Sequence, residues 1–376
     1  MTYKYPPTGL LSYSDEKGFL SRPDYAQIFI ERIQYTFKSL KIHASISSYN
    51  VTSLAMVFVC ELEEGYSFRT FKSHRTDIEL SVATYVEINA GNDGKVYLIL
   101  KAFPRPIVGL RTLIESKEFA DAPSPLSVVV GVDIMGNPLV IDIEQLPHLL
   151  IAGSTGSGKS VFIDDLIISL IYKASPHDVG LLLIDPNAVE LNPYNGVPHL
   201  IAPVVDNATD AFAALAWVED EMMKRYRSFE EKGVKHIDQY NQIPECHLMK
   251  IVVIIDEYKD LMDMADKDAE QSIIRITRMA RAAGIHLIIA TQVAVNKVVT
   301  AAIKANIPSR VAFTLVDNRE SKAVLDITGA ERLLGRGDMI VSVSDEGTPI
   351  HGQAAYVSFE EILKVVGFAE NANRKR

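Results

Sequence analysis

Short apolar runs alternate with helical segments through the second half of the chain. These runs predict strands at residues 148–152, 180–184, 251–255, 285–290 and 311–315. Strands that alternate with helices form a mainly parallel sheet flanked by those helices, so this half is predicted to have an α/β fold. In such a sheet the functional side chains lie beyond the carboxyl ends of the strands.

The first half has a different pattern. Apolar residues from Ala26 to Leu40 follow helical spacing, and Pro23 stands in the first turn, which predicts an amphipathic helix. Three β-rich runs follow, at residues 54–62, 81–88 and 95–103. One helix and three strands predict a small α+β domain.

These changes of pattern give the predicted domain boundaries. Residues 1–22 have no steady period and are interpreted as an N-terminal arm, and residues 23–118 as the small domain. A linker-like stretch at 120–125 and a hairpin at Gly136-Asn137 open the larger domain, which is predicted to span residues 119–368. Residues 369–376 are predicted to be a polar tail.

The composition is that of an ordinary globular protein. Of its 376 residues 48% are hydrophobic and 23% are charged, and the net charge is −10. No apolar stretch approaches the roughly 18 residues that a membrane span needs, and only two cysteines are present, so a cytoplasmic location is expected. The acidic total argues weakly against a nucleic-acid partner but allows a locally basic channel.

One motif in the second half predicts a phosphate-binding loop. The glycine spacing allows backbone N–H groups to surround phosphate oxygens, and the helix that follows directs its positive end at the same charge. Lys159 would reach the β- and γ-phosphates of a nucleotide, and Ser160 would offer a hydroxyl to Mg²⁺. The alternative is a glycine-rich turn without a ligand. The motif reads Gly153-Ser154-Thr155-Gly156-Ser157-Gly158-Lys159-Ser160.

Two carboxylates follow the strand predicted at 251–255. Asp256 would hold the Mg²⁺, and Glu257 would polarise the attacking water, which indicates hydrolysis of the nucleotide. A helix cap is the alternative role for this pair. After the strand predicted at 285–290, Gln292 would sense the γ-phosphate, with ordinary loop polarity as the alternative.

Three arginines recur at spacings of three in a helical run predicted at residues 271–283. They are Arg275, Arg278 and Arg281. A guanidinium stabilises the charge that develops during phosphoryl transfer, often from a neighbouring subunit. A solvated basic face, or compensation of the helix dipole, is the alternative explanation.

Further motifs accompany the phosphate loop. They lie at residues 147–153, 184–186, 196–200, 256–262, 280–287, 303–310 and 333–339. In content and order they resemble the motor domain of the FtsK/SpoIIIE family of DNA translocases, and the resemblance covers about residues 124–366. The region before it, including residues 106–110, is similar to the smaller domain that stacks on the motor ring of that family.

The resemblance implies a RecA-like P-loop ATPase that assembles as a homohexameric ring and pumps double-stranded DNA through a central channel. ATP and Mg²⁺ would be its cofactors. Lys159 and Glu257 would be catalytic, and Arg281 would act in the site of the adjacent subunit.

The resemblance also implies DNA contacts. Thr291, Lys304 and Lys322 fall on channel positions of the family. Other expected cations are replaced, because Val293, Asn318 and Asn187 stand where relatives usually carry arginine or lysine. Two nearby cations, Lys297 and Arg319, are candidate substitutes.

Neither a membrane anchor nor a winged-helix domain is found in this sequence, so we expect a stand-alone motor, with any membrane or conjugation partners acting in trans. The alternatives are a protein-secretion ATPase, a conjugative coupling factor and a small-molecule kinase. A single phosphate loop counts against the first, and the Asp-Glu pair counts against the last.

Overall fold

The structure is a computed structural model and describes residues 3–14, 23–52, 54–91, 93–101, 106–264, 267–295, 297–343 and 349–373. Parts of the predicted arm, of the strand at 95–103 and of the polar tail lie outside these residues. The chain divides into two compact units. The smaller comprises Ser14–Ile107 and Val132–Asn137, and the larger comprises Met1–Tyr13, Val108–Gly131 and Pro138–Arg376. This division differs from the predicted one, because residues 3–13 and 108–118 group with the larger unit and residues 132–137 group with the smaller.

Among the residues described, the smaller unit contains an antiparallel sheet of four strands and three helices. The strands are β1 (Ala44–Val51), β2 (Ala55–Leu62), β3 (Val86–Ala90) and β4 (Val96–Lys101), in the order β1-β2-β4-β3. The helices are α1 (Pro23–Ser39), α2 (Phe68–Ser73) and α3 (Arg75–Val82). Ile33 and Phe37 of α1 belong to a core with Phe58 and Phe71.

Two predictions for this unit need correction. The β-rich run predicted at 81–88 begins inside α3, since Ser81 and Val82 complete the last turn of that helix. Strand β1 was not predicted, because it lies at the sheet edge and exposes most of its side chains, which leaves little apolar signal.

The larger unit is built on a nine-stranded sheet. Five predicted strands form its parallel centre, and β12 and β13 extend it in antiparallel fashion. The strand order is β6-β5-β13-β12-β11-β7-β10-β9-β8. The strands are β5 (Ser127–Asp133), β6 (Pro138–Asp142), β7 (His148–Ala152), β8 (Val179–Ile184), β9 (Lys250–Ile255), β10 (Ile285–Thr291), β11 (Ser309–Ala312), β12 (Asp338–Ser342) and β13 (Ile350–Ala354). The predicted α/β fold with a mainly parallel sheet is confirmed.

Ten helices belong to this unit within the described part of the chain. They are α4 (Leu110–Ile114), α5 (Lys117–Asp121), α6 (Lys159–Lys173), α7 (Ala208–Lys232), α8 (Ile237–Asn241), α9 (Tyr258–Met264), α10 (Lys267–Met279), α11 (Ala301–Asn306), α12 (Asn318–Leu325) and α13 (Phe359–Asn373). The predicted linker begins within α5, and the predicted tail begins within α13, where Ala369 is buried. In the regions described, no helix combines the length and apolar character that a bilayer span requires.

Candidate active site

The carboxyl ends of the central strands bring the predicted residues to one edge of the sheet. Ala152 at the end of β7 pairs with Thr291 at the end of β10, and Ile289 of β10 pairs with Ile255 at the end of β9. The N–H of Gly153 donates to the carbonyl of Thr291 at 3.2 Å. The phosphate-loop motif and the Asp256-Glu257 pair are therefore neighbours, as the parallel topology requires.

The loop conformation depends on glycine at two positions. Gly156 and Gly158 have φ values of +75° and +115°, a region that favours glycine. A Cβ atom on Gly158 would lie 2.7 Å from the amide nitrogen of Gly337, whose N–H donates to the carbonyl of Ser157 at 2.8 Å. The close approach of these two backbones leaves no room for a side chain.

Lys159 and Asp256 form a buried ion pair. The Lys159 Nζ atom donates to Asp256 Oδ1, and the two side chains are only 4% and 5% exposed. Asp256 Oδ1 also accepts the N–H of Glu257 at 3.0 Å. Burying either charge without a partner would cost free energy, and each group compensates the charge of the other.

Glu257 is held by the end of strand β10. Both of its carboxylate oxygens accept the N–H of Gln292 at 3.2 Å, and Oε1 accepts the Thr291 hydroxyl at 3.3 Å. Burial raises the pKa of Glu257, and the Gln292 amide partly opposes that rise. Glu257 has φ +49°, which is uncommon for a non-glycine residue and marks a constrained backbone.

A side-chain contact connects this carboxylate to the phosphate loop. The Thr155 hydroxyl donates to Gln292 Oε1 at 2.7 Å, while the Gln292 N–H binds Glu257. Ser154 donates from both its N–H and its hydroxyl to the carbonyl of Thr314, at 2.9 and 2.8 Å. The amino-terminal part of the loop is thus held by residues that follow two strands, β10 and β11.

The donor set fits a nucleotide with Mg²⁺. Ser160 lies in the first turn of α6, whose leading N–H groups have no partners within the helix, and Asp256 supplies a carboxylate nearby. The Ser157 hydroxyl is buried and has no hydrogen-bond partner in the described part of the chain. An orphaned donor in such a loop is typical of a site built for an anionic ligand.

The structure adds residues that the sequence did not single out individually. Asp185 Oδ2 accepts the N–H groups of Val189, Glu190 and Leu191 at 2.8–3.1 Å and so shapes the loop after β8. Asp164 accepts the Tyr194 hydroxyl at 2.7 Å, and burial raises its pKa to about 7. A signal for Asp164 was available, because a residue four positions after Ser160 lies on the same helix face.

Arg281 lies at the opposite end of the parallel strands. It is exposed in the turn between α10 and β10, before the amino end of the strand, whereas the site is beyond its carboxyl end. The seven residues of β10 separate the two by roughly 20 Å. The Arg281 side chain therefore does not reach the phosphate loop of its own chain.

The predicted DNA contacts have different environments. Thr291 is fully buried and its hydroxyl serves Glu257, so its side chain is not available to DNA, contrary to the prediction. Lys304 is 22% exposed and donates to Asp326 Oδ1 at 2.8 Å. Lys297, Arg319 and Lys322 are exposed.

Comparisons with known proteins bear on this arrangement. Residues 109–296 match the FtsK/SpoIIIE family model. The chain is 42% identical to the DNA translocase SftA of Bacillus subtilis over 375 residues, which are 97% of this chain and 39% of that protein. It is 37% identical to the DNA translocase FtsK of Haemophilus influenzae over 386 residues, 95% of this chain and 73% of that protein. The chain belongs to the FtsK/SpoIIIE family.

A solved structure shows the same fold as this FtsK/SpoIIIE chain. It is the pCW3 conjugation coupling protein TcpA, in a monomer form with ATPgS, with a TM-score of 0.62 and 24% identity over 91% of this chain and 99% of that one. The chain spans about half the length of most of the curated FtsK/SpoIIIE relatives it matches. The resemblance found in the sequence is thereby confirmed.

Proposed function

We propose that the protein is an ATPase motor that moves double-stranded DNA. The observation that carries this proposal is the convergence of Lys159, Asp256 and Glu257 at one strand edge, with Gln292 connecting them to the phosphate loop. Relatives that align over most of this chain are named DNA translocases, which favours DNA as the substrate.

Each group in the site has a role in hydrolysis. The loop amides and Lys159 bind the phosphates of ATP, and Ser160 and Asp256 would hold Mg²⁺, which neutralises phosphate charge when bound. Burial raises the pKa of Glu257, which makes its carboxylate a stronger base, and it orients the attacking water and accepts its proton. Gln292 would report the state of the γ-phosphate to the end of β10.

A ring of subunits would complete the site. Arg281 is exposed before the amino end of β10, away from its own phosphate loop, which supports a role at the nucleotide of a neighbouring subunit. We propose a homohexamer, as the family resemblance implies. A cytoplasmic location accords with Cys60 and Cys246, which are free thiols.

DNA would be held by few cations per subunit. Lys297, Arg319 and Lys322 are exposed, and their repetition around a ring would build a basic channel in a chain whose net charge is −10. A motor that slides along DNA benefits from a limited number of phosphate contacts.

The proposal is tested by measuring ATP hydrolysis with and without duplex DNA at increasing salt. We expect strong stimulation by DNA that salt weakens, since phosphate contacts release counterions. Glu257→Gln should keep nucleotide binding and lose hydrolysis by about 100-fold or more. Turnover that ignores both DNA and salt, or stimulation by a cargo peptide instead of DNA, would contradict the proposal.

A further inference from the structure

Two loops at the amino edge of the sheet place two histidines and an aspartate side by side. His177 and Asp178 directly precede β8, and His247 lies three residues before β9. The two strands are parallel neighbours, with Val179 paired to Lys250. This edge is opposite the phosphate loop, so the cluster is distinct from the ATPase site.

The ligand atoms of the three side chains are close together. One nitrogen or oxygen from each lies within 4.8 Å of the others. His177 Nδ1 is 3.4 Å from Asp178 Oδ1, and the two imidazole rings stack with centroids 3.9 Å apart. His247 Nε2 donates to the carbonyl of His177 at 2.9 Å, which leaves Nδ1 as the nitrogen of that ring with a free lone pair.

The backbone around the cluster is well supported. The Ser175 hydroxyl donates to Asp178 Oδ2 at 2.6 Å, and the carbonyl of Asp178 accepts the N–H of Lys250 at 2.8 Å. Both the side chain and the backbone of Asp178 are therefore held in place by neighbouring residues.

We propose that His177, Asp178 and His247 bind a divalent transition-metal ion such as Zn²⁺. Two imidazoles and one carboxylate supply three ligands and leave a further position open to water, a set that suits Zn²⁺ and discriminates against Mg²⁺. A metal lies in the plane of each imidazole that binds it, so one ring must turn out of the stack. His177 is free to do so because its side chain is 73% exposed.

The bound ion would tie the loop before β8 to the loop before β9. Its effect would be on the stability of this sheet edge, because the strands separate it from the phosphate loop. A metal-binding measurement made without nucleotide thus tests the cluster independently of the ATPase proposal.

The test is titration of the full, nucleotide-free chain with Zn²⁺ by calorimetry, and with Co²⁺ by visible absorption. We expect one equivalent to bind to the wild type. His247→Ala and His177→Ala should each weaken binding more than tenfold and abolish the Co²⁺ absorption band. His43→Ala is the matched control, since His43 contacts the single carboxylate of Glu63 at 2.8 Å, and it should bind as the wild type does.

Thermal unfolding gives a second measurement. Zn²⁺ should raise the melting temperature of the wild type and of His43→Ala but not that of His247→Ala, because a ligand that binds the folded state stabilises it. The proposal is overturned if the wild type does not bind Zn²⁺, or if His247→Ala binds one equivalent with unchanged affinity.

Discussion

The ammonium of Lys159 is paired with the carboxylate of Asp256, 97 residues later in the chain. Each group is predicted to serve the nucleotide, one through the phosphates and the other through Mg²⁺. Their mutual contact satisfies two charges that would otherwise be buried without compensation. The ion pair therefore couples the stability of the strand edge to the chemistry of the site.

Replacing one member of this pair should destabilise the fold. Lys159→Ala leaves the Asp256 carboxylate buried and unpaired, and we expect a loss of about 3–5 kcal/mol in the free energy of unfolding. The double variant Lys159→Ala/Asp256→Ala should lose less than the sum of the two single variants. Urea denaturation without nucleotide measures this coupling, and strictly additive losses would show that the contact contributes no coupling energy.

The hydroxyl of Thr291 should change the properties of Glu257, the carboxylate proposed to act as the base. Thr291→Val removes the hydrogen bond to Glu257 Oε1, so we expect kcat to fall roughly tenfold with little change in KM. A hydrogen bond to the carboxylate favours its ionised form, so its loss raises the pKa of Glu257 further. The base works when deprotonated, and the acid limb of the kcat profile should therefore move to higher pH.

Thr291→Ser is the control for this change because it keeps the hydroxyl. It should retain the wild-type pH profile. An unshifted profile in Thr291→Val would show that the hydroxyl does not act through Glu257.

Two buried histidines should make the fold sensitive to mild acid. His148 and His286 are fully buried on adjacent strands, and burial lowers their pKa values from 6.5 to about 4 and about 3. The unfolded chain takes up protons below pH 6.5 that the folded chain does not, so stability is complete above that pH and falls as the pH drops toward 4. We expect each histidine to cost about 2 kcal/mol at pH 5.

The corresponding variant is His286→Asn. Asparagine can still donate an N–H toward the carbonyl of Pro147, which His286 Nδ1 contacts at 3.0 Å, but it does not titrate. Urea denaturation between about pH 7 and pH 5 should show a shallower loss of stability for this variant than for the wild type. Equal slopes would assign the pH dependence to other groups.

Most of the predictions that the structure confirms came from local sequence patterns. The central strands and the phosphate loop were found because an apolar run, a glycine-rich turn and a helix follow one another in sequence. Strand β11 ends at Ala312 rather than at the predicted 315, because Thr314 already lies in a loop where its carbonyl accepts Ser154. The periodicity of apolar residues does not predict that contact.

The environments of two predicted DNA contacts depend on residues that are distant in sequence. The Thr291 hydroxyl donates to Glu257, 34 positions away, and Lys304 is paired with Asp326, 22 positions away. The motif identified both positions, but only the packed sheet shows which neighbours engage their polar atoms. The His-His-Asp cluster was missed for the same reason, since His247 reaches His177 from another loop, 70 residues later.

We expect Asp326 to weaken the binding of duplex DNA by this protein. It accepts hydrogen bonds from Lys304 at 2.8 Å and from Arg310 at 2.5 Å. Asp326→Asn removes the negative charge, and asparagine tolerates the left-handed backbone at φ +61°. If Lys304 meets phosphate, we expect tighter duplex binding and a salt dependence steeper by about one phosphate contact.

The control for Asp326→Asn is Glu360→Gln, which removes one negative charge from the Glu360–Lys364 pair on α13. It should leave the salt dependence of DNA binding unchanged. Binding curves at several salt concentrations distinguish the two variants. Identical salt dependences for the two variants would show that Lys304 does not contact DNA phosphate.

The position of Arg281 predicts complementation between two inactive subunits. Arg281→Ala keeps its own phosphate loop and Glu257 intact, whereas Glu257→Gln keeps Arg281 intact. Each variant alone should lack DNA-stimulated hydrolysis. In a mixed ring, an Arg281→Ala subunit beside a Glu257→Gln subunit receives the missing guanidinium, so the mixture should regain part of the activity.

Recovery should vary with the mixing ratio and vanish when the second subunit carries both substitutions. A mixture that stays inactive at every ratio, while still forming rings, would show that Arg281 does not act across the interface.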